Sequence, residues 1–183
     1  MAKQLAFHIN SSQCGNCKAC QIACKDKNNL PVGIIWRRVW QYGGMHCENP
    51  ACVNACPAGA MIKRADGVVL VNADQCVGCR YCEWACPYGA PHYSEAKGVM
   101  TKCNFCEDLL AKGENPACVD ACPMRAIEFG ELSELRAKYG NAMDVEPLPA
   151  SWMTQPAVVV TPHKHAQVSG KGTGHILDLV QEV

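Results

Sequence analysis

Apolar positions along this chain come in short runs, not in long amphipathic stretches. AFHI (6–9), GVVLV (67–71) and AIEFG (126–130) each have the length of one buried strand and are flanked by polar or turn residues, which predicts three short β-strands. ELSELRAKY (131–139) sets leucines three apart and stops at Gly140, the pattern of a short helix closed by a C′ glycine. From residue 141 the periodicity dissolves. Prolines stand at 147, 149, 156 and 162, SGKGTG follows at 169–174, and a single further strand is expected at AVVV (157–160). The chain therefore divides into a working region, 1–140, and a C-terminal arm, 141–183, expected to lie extended on that region or on a partner. No apolar run reaches the roughly 18 residues that a bilayer demands, so a membrane would be met only through another subunit.

Fifteen cysteines in 183 residues change this picture. Aromatic residues make up only 7%, so a conventional core would be thin, and something other than side chains is expected to fill the centre. A disulfide scaffold fits poorly. The cysteine count is odd, the opening MAKQLAFHINSSQC has no apolar signal run, and the cysteines cluster at metal-ligand spacing. Seventeen basic residues balance seventeen acidic ones without a basic run, which speaks against a nucleic-acid partner.

Four groups account for every cysteine: Cys14, Cys17, Cys20 and Cys24; Cys47, Cys52 and Cys56; Cys76, Cys79, Cys82 and Cys86; Cys103, Cys106, Cys118 and Cys122. The first and third read Cys-x2-Cys-x2-Cys-x3-Cys, and the third adds Pro87, the spacing of bacterial-type iron–sulfur ferredoxins. A tight loop with a cysteine at every third position can reach three corners of a cubane. The fourth cysteine, past a short turn, serves a second cluster, so loops work in pairs and four groups make two two-cluster units. Zinc is the competing metal, but four groups of this size exceed what tetrahedral sites need. ENPACVNACPAGAM (48–61) and ENPACVDACPMRAI (114–127) match at ten of fourteen positions and mark the two groups whose third cysteine is displaced by an insertion.

Pairing the first group with the fourth and the second with the third puts these near-repeats in equivalent places. One cluster then takes Cys14, Cys17, Cys20 and Cys122, and another Cys103, Cys106, Cys118 and Cys24. A third takes Cys76, Cys79, Cys82 and Cys56. The fourth is left with Cys47, Cys52 and Cys86, and by internal alignment its missing thiolate falls at Gly44. Met45 and His46 are the nearby side chains that either substitute there or simply pack the loop. A corner iron without a thiolate is easily lost, so the fourth site is expected to hold [3Fe-4S], with an atypical [4Fe-4S] or an unfilled site as alternatives.

Each oxidised four-thiolate cubane adds about −2 of charge, so basic residues beside the loops gain interest. These are Lys18, Lys25, Arg37, Arg38, Arg80, Lys102 and Arg125, either tuning or docking residues or plain solvated charges. Trp36, Trp40 and Trp84 read as core packing, and His8, His92, His163, His165 and His175 have no matched partner. GKGTG (170–174) is not a phosphate-binding loop, no dinucleotide fingerprint follows a strand, and no catalytic constellation is present.

SSQCGNCKACQIACKD (11–26), HCENPACVNACPAGAM (46–61), CVGCRYCEWACPYGAPHY (76–93) and GVMTKCNFCEDLLAKGENPACVDACPMRAIEFG (98–130) resemble the iron–sulfur electron-transfer subunits of molybdopterin oxidoreductases, and closely the B subunits of the anaerobic dimethyl sulfoxide reductase family. The resemblance implies an α+β fold of two nested ferredoxin-like units with small sheets and short helices. Groups one and four form one unit, and groups two and three, within about 42–98, form the other. It implies four [4Fe-4S] clusters relaying electrons from a quinol-oxidising membrane anchor to a molybdopterin catalytic subunit. The chain would be non-catalytic and peripheral to the cell membrane, cytoplasmic or exported with a partner. Similar wires serve thiosulfate, polysulfide, nitrate and formate systems, and a free polyferredoxin is the alternative of another class. The sequence departs from the family between RRVWQYGG (37–44) and His46-Cys47, where the family has a longer segment and a cysteine at the place of Gly44.

Overall fold

A computed structural model describes residues 3–38 and 44–173. Its first strand, β1 (Leu5–Asn10), is buried at all four inner positions, because its two faces meet different neighbours. It runs antiparallel to β6 (Ile127–Glu131), with Phe7 opposite Phe129, and parallel to β7 (Val158–Thr161), with Ile9 opposite Val160. The period-two alternation sorts the side chains. Ala6 and Val159 face α6 (Leu132–Tyr139), packing on Leu132 and Leu135. Phe7, Ile9, Val158 and Val160 face the cysteine-rich interior. Gly140 closes α6 at φ 85°, a conformation other residues rarely adopt.

The strands flank the cysteine groups in mirrored order. β1 precedes the first group and β6 follows the fourth. β2 (Met61–Lys63) follows the second group and pairs with β3 (Val69–Val71), which precedes the third. β4 (His92–Ser94) and β5 (Val99–Thr101) form a hairpin between the third and fourth groups. Each group contributes a short helix that carries a cysteine: α1 (Ala19–Lys27), α2 (Ala51–Asn54), α3 (Tyr81–Ala85) and α5 (Ala117–Asp120). The small α4 (Glu107–Leu110) follows Cys106. Helix α1 packs on α5, and α2 packs on α3. The result is α+β, with three small sheets and short helices.

The interior is built partly from thiols. Cys20, Cys47, Cys118 and Cys122 belong to the main apolar cluster with Phe7, Phe105 and Tyr88, and Cys52 and Cys82 to a second one with Met61, Val69 and Met100. Trp84 departs from the expected core role. It is 74% exposed and lies beside exposed Tyr81 at 5.7 Å, because five-residue α3 turns its Cys82 face inward and these two rings outward. Trp36 is half-buried and donates its indole N–H to Thr101 Oγ1 at 3.2 Å. Trp40 and His175 lie outside the described residues. Among the described residues no helix is long and apolar enough to cross a membrane.

Candidate metal centre

The ligand loops share one backbone device. The residue just before the second cysteine of the first, third and fourth groups, and before the first cysteine of the second group, has positive φ: Asn16 at 53°, Gly78 at 67°, Phe105 at 61° and His46 at 38°. This left-handed step tightens the turn that presents the following thiol. Gly78 has a second reason to be glycine, since a Cβ there would lie 2.5 Å from the Gly98 carbonyl oxygen. In the first and third groups the residue after the second cysteine, Lys18 and Arg80, is also left-handed and leads into α1 and α3. Backbone N–H groups then turn toward sulfur. Ala90 donates to Cys86 Sγ at 3.5 Å, Met100 to Cys76 Sγ at 3.4 Å, and Ala126 to Cys122 Sγ at 3.3 Å.

The thiols gather in four sets. Cys14, Cys17, Cys20 and Cys122 line one recess with Lys18 and Arg37. Cys56, Cys76, Cys79 and Cys82 line another, floored by Met61, Val71 and Met100. Cys24 faces Cys103, Cys118 and Cys106, and Cys47 faces Cys86 and Cys52. Among the described residues no three Cys, His, Asp or Glu side chains close on a point that would hold a single metal ion. The thiols instead ring the recesses. No cysteine is in a disulfide.

Burial controls the thiols. It pushes Cys118 and Cys82 up to about 12 and Cys47 to about 11, partly opposed at Cys118 by Arg37 and at Cys47 by Thr154. Bare thiols here would stay protonated at neutral pH, and iron would have to displace the protons, so loading and folding are coupled. Tyr88, also raised to about 12 by burial, accepts a hydrogen bond from Thr154 Oγ1 at 3.2 Å beside the Cys47 set.

Gly44 behaves unlike a ligand position. Its φ is +82°, and a Cβ there would lie 2.9 Å from Cys103 Sγ and 3.6 Å from the Phe7 ring. Met45 is buried in the main apolar cluster. His46 is buried and neutral, its basicity lowered by burial and by Lys102. Its Nδ1 accepts the Val69 N–H at 2.9 Å. Its Nε2 is buried with no hydrogen-bond partner among the described protein atoms, an orphaned donor in a core ringed by thiols.

The remaining basic candidates divide by burial. Arg37 and Lys102 are buried. Arg80 is exposed and stacks on Tyr93 at 4.0 Å, Lys25 caps the Pro31 carbonyl, and Arg125 donates to the Asp120 carbonyl. His8 is buried by stacking on Tyr139 and bonds Thr161 Oγ1 at 2.9 Å, a role in the sheet. Spacing alone does not set the two inner cations apart from the other five, since nothing in a sequence separates a buried lysine from a solvated one.

Comparison with known proteins agrees with this thiol architecture. A 4Fe-4S dicluster domain matches residues 40–132. The B subunit of the anaerobic dimethyl sulfoxide reductase of Escherichia coli (strain K12) is 44% identical over 199 residues, covering 96% of this chain and 97% of the relative. The chain belongs to the family of dimethyl sulfoxide reductase B subunits. Within that family it is an iron–sulfur electron-transfer protein. More distant similarity reaches the B subunit of the polysulfide reductase of Wolinella succinogenes, 35% identical over 92% of this chain and 99% of the relative. The thiosulfate reductase electron transfer subunit of Salmonella typhi is 38% identical over 73% of this chain and 79% of the relative. The 199 aligned positions exceed the 183 residues present, so the dimethyl sulfoxide reductase subunit carries residues with no counterpart here.

Proposed function

We propose that this chain relays single electrons through four iron–sulfur sites between a quinol-oxidising membrane anchor and a molybdopterin catalytic subunit of the dimethyl sulfoxide reductase type. The clusters supply the one-electron carriers; the chain's residues hold them, space them and exclude water. Three sites have four thiolates each: Cys14, Cys17, Cys20 and Cys122; Cys24, Cys103, Cys106 and Cys118; Cys56, Cys76, Cys79 and Cys82. The fourth, Cys47, Cys52 and Cys86, has three and takes [3Fe-4S]. The fit is full for the first three sets. At the fourth, Gly44 has a left-handed φ of +82° and a Cβ there would crowd Cys103 Sγ at 2.9 Å, which supports a three-thiolate set.

One observation carries this reading: consecutive sets share buried neighbours, and the two outer sets hold the exposed thiols. Cys20 of the Cys14 set and Cys103 and Cys118 of the Cys24 set face the same guanidinium, Arg37. Cys103, Cys47, Cys52 and Cys86 face the same ammonium, Lys102. Cys82 of the Cys56 set faces Cys52. These shared neighbours support the order Cys14, Cys24, Cys47, Cys56. Cys14 and Cys17 at one end and Cys79 at the other are exposed, while Cys24, Cys106, Cys118, Cys47 and Cys52 are buried. A relay needs accessible termini and a shielded middle. The packing of α1 on α5 and of α2 on α3, with β1–β6 and β2–β3 pairing outside them, supports two nested units. The strand β7 beside β1 supports a C-terminal segment, 141–183, serving the outer unit.

The test is iron and sulfide analysis with electron paramagnetic resonance on the chain purified with its native partners. The expected result is about fifteen irons per chain, one [3Fe-4S] signal in the oxidised protein, and a co-purifying molybdenum-containing chain. A folded native protein without iron would overturn the reading. A fourth [4Fe-4S] signal would overturn the trinuclear assignment alone.

A further inference from the structure

Two cations are buried within the thiol-rich core. Arg37 is 4% exposed, and its guanidinium carbon lies 5.2 Å over the Phe7 ring. It lines the recess of the Cys14 set, hydrogen-bonds with Cys20 and faces Cys118 and Cys103 of the Cys24 set. Lys102 is 6% exposed. Its ammonium donates to the Val69 carbonyl at 2.6 Å and the Cys103 carbonyl at 2.8 Å. It faces Cys103 of the Cys24 set together with Cys52, Cys86 and Cys47. The carbonyls fix the ammonium in place but do not neutralise it, and a buried charge without an opposite charge is strongly penalised. Neutral thiols offer no such charge. Thiolate sets loaded with iron do.

We propose that Arg37 and Lys102 are junction charges, one cation shared by each of two consecutive pairs of sites: Arg37 between the Cys14 and Cys24 sets, Lys102 between the Cys24 and Cys47 sets. This rests on the relay reading above and adds what governs the ease of each hop. A charge buried between two centres attracts an added electron on either, and in a medium of low dielectric that attraction is large. Because it is shared, it raises both neighbours together. The Cys24 set faces both cations and is raised most. The Cys56 set faces neither, and its adjacent cation, Arg80, is exposed on Tyr93, where solvent and salt screen it. The relay is thus divided into a stretch of three centres raised by buried charge, highest at the Cys24 set, and a separate terminal centre.

The experiment is a redox titration followed by electron paramagnetic resonance on the purified complex, native and variant, with the centres told apart by single ligand variants. Lys102→Met is expected to make the centres of the Cys24 and Cys47 sets at least tenfold harder to reduce, about 59 mV for one electron. Those of the Cys14 and Cys56 sets stay where they are. Lys102→Arg, which keeps the charge, restores the native values. Arg37→Gln shifts the Cys14 and Cys24 centres and leaves the other two. Unmoved potentials in fully loaded Lys102→Met, or an equal shift in all four centres, overturn the proposal. Should Lys102→Met not load, Arg37→Gln decides by the same criterion. Native protein without iron–sulfur signals would overturn the relay reading itself, and that measurement comes before any variant.

Discussion

The two copies of the ENPAC phrase, at 48–57 and 114–123, keep one backbone behind different residues, Gly44 and Cys103. Both start a four-residue helix directly after proline, with Val53 N–H on the Pro50 carbonyl and Val119 N–H on the Pro116 carbonyl. Both are preceded by a left-handed residue, His46 and Phe105, and these two rings pack on each other at 4.4 Å. The loops therefore meet at equivalent positions. They differ at the first ligand place. Cys103 faces the interior of its set, while Gly44 has φ +82° and is pressed against that same Cys103. The backbone that presents thiolates is thus maintained by turns, prolines and aromatic contacts, and does not depend on each thiolate. The lesson is that scaffold and donor set are separable; on the proposed reading, iron stoichiometry follows the donors.

The sharpest way to break this comparison is to remove equivalent thiols. Cys118→Ser takes a ligand from a four-thiolate site, and is expected to lose about four irons per chain and to lower the yield of assembled protein steeply, because metal binding and folding are linked. Cys52→Ser, at the same place in the other copy, leaves two thiolates and should empty its site of about three irons. Equal iron loss, read by elemental analysis, would erase the difference between the copies.

Next in size is a change outside both loops. Leu135→Ala opens a cavity between α6 and the Ala6–Val159 face of the sheet and should cost about 2–5 kcal/mol in denaturant unfolding, with the iron count unchanged in the surviving protein. Loss of iron without loss of stability would mean that the outer sheet holds clusters directly.

Gly44→Cys sharpens the central point. Restoring the residue is expected to destabilise by about 1–3 kcal/mol, from left-handed strain and the contact with Cys103, and to add no iron. A gain of one iron per chain with conversion of the [3Fe-4S] signal would show that the loop relaxes to accept a ligand.

The smallest effect belongs to the surface. Glu48 of the first copy bonds Arg136 of α6 at 2.7 Å, with both side chains roughly a third exposed. Glu48→Gln should cost no more than about 1 kcal/mol by thermal melting, less at high salt. A larger loss would mark this contact as a real clamp between copy and helix.

Much of this arrangement is legible in the sequence, for a physical reason. Cubane ligation demands fixed spacings, so the four groups can be read as patterns, and apolar runs betray the strands at 6–9, 67–71, 126–130 and 157–160. The three-residue strands β2, β4 and β5 cannot, because MIK, HYS and VMT owe their ladders to what lies across from them. Trp84 defeats the expectation of core packing for a related reason. A five-residue helix has no periodicity to reveal which side faces out. The burial of Arg37 and Lys102 depends on loops distant in sequence. The left-handed backbone of Gly44 and the closeness of Cys103 to it are tertiary features, and alignment of the two copies reports only identity.

Strand β1 leaves the ribosome well ahead of its neighbours β6 and β7, which follow some 120 to 150 positions later. Cys14 likewise waits for Cys122 to share its recess. At roughly 5–20 residues per second of translation, the nascent strand stays unpaired for about 6–30 s. During that time its apolar run is open to self-association and the thiols of the loop that follows, Cys14 first, to oxidation. The N-terminal loop therefore cannot complete its site early in translation. On the proposed ligand sets, delivery of metal follows synthesis of the fourth cysteine group, and a chaperone that shields residues 5–10 until then would keep the open strand from pairing with other chains.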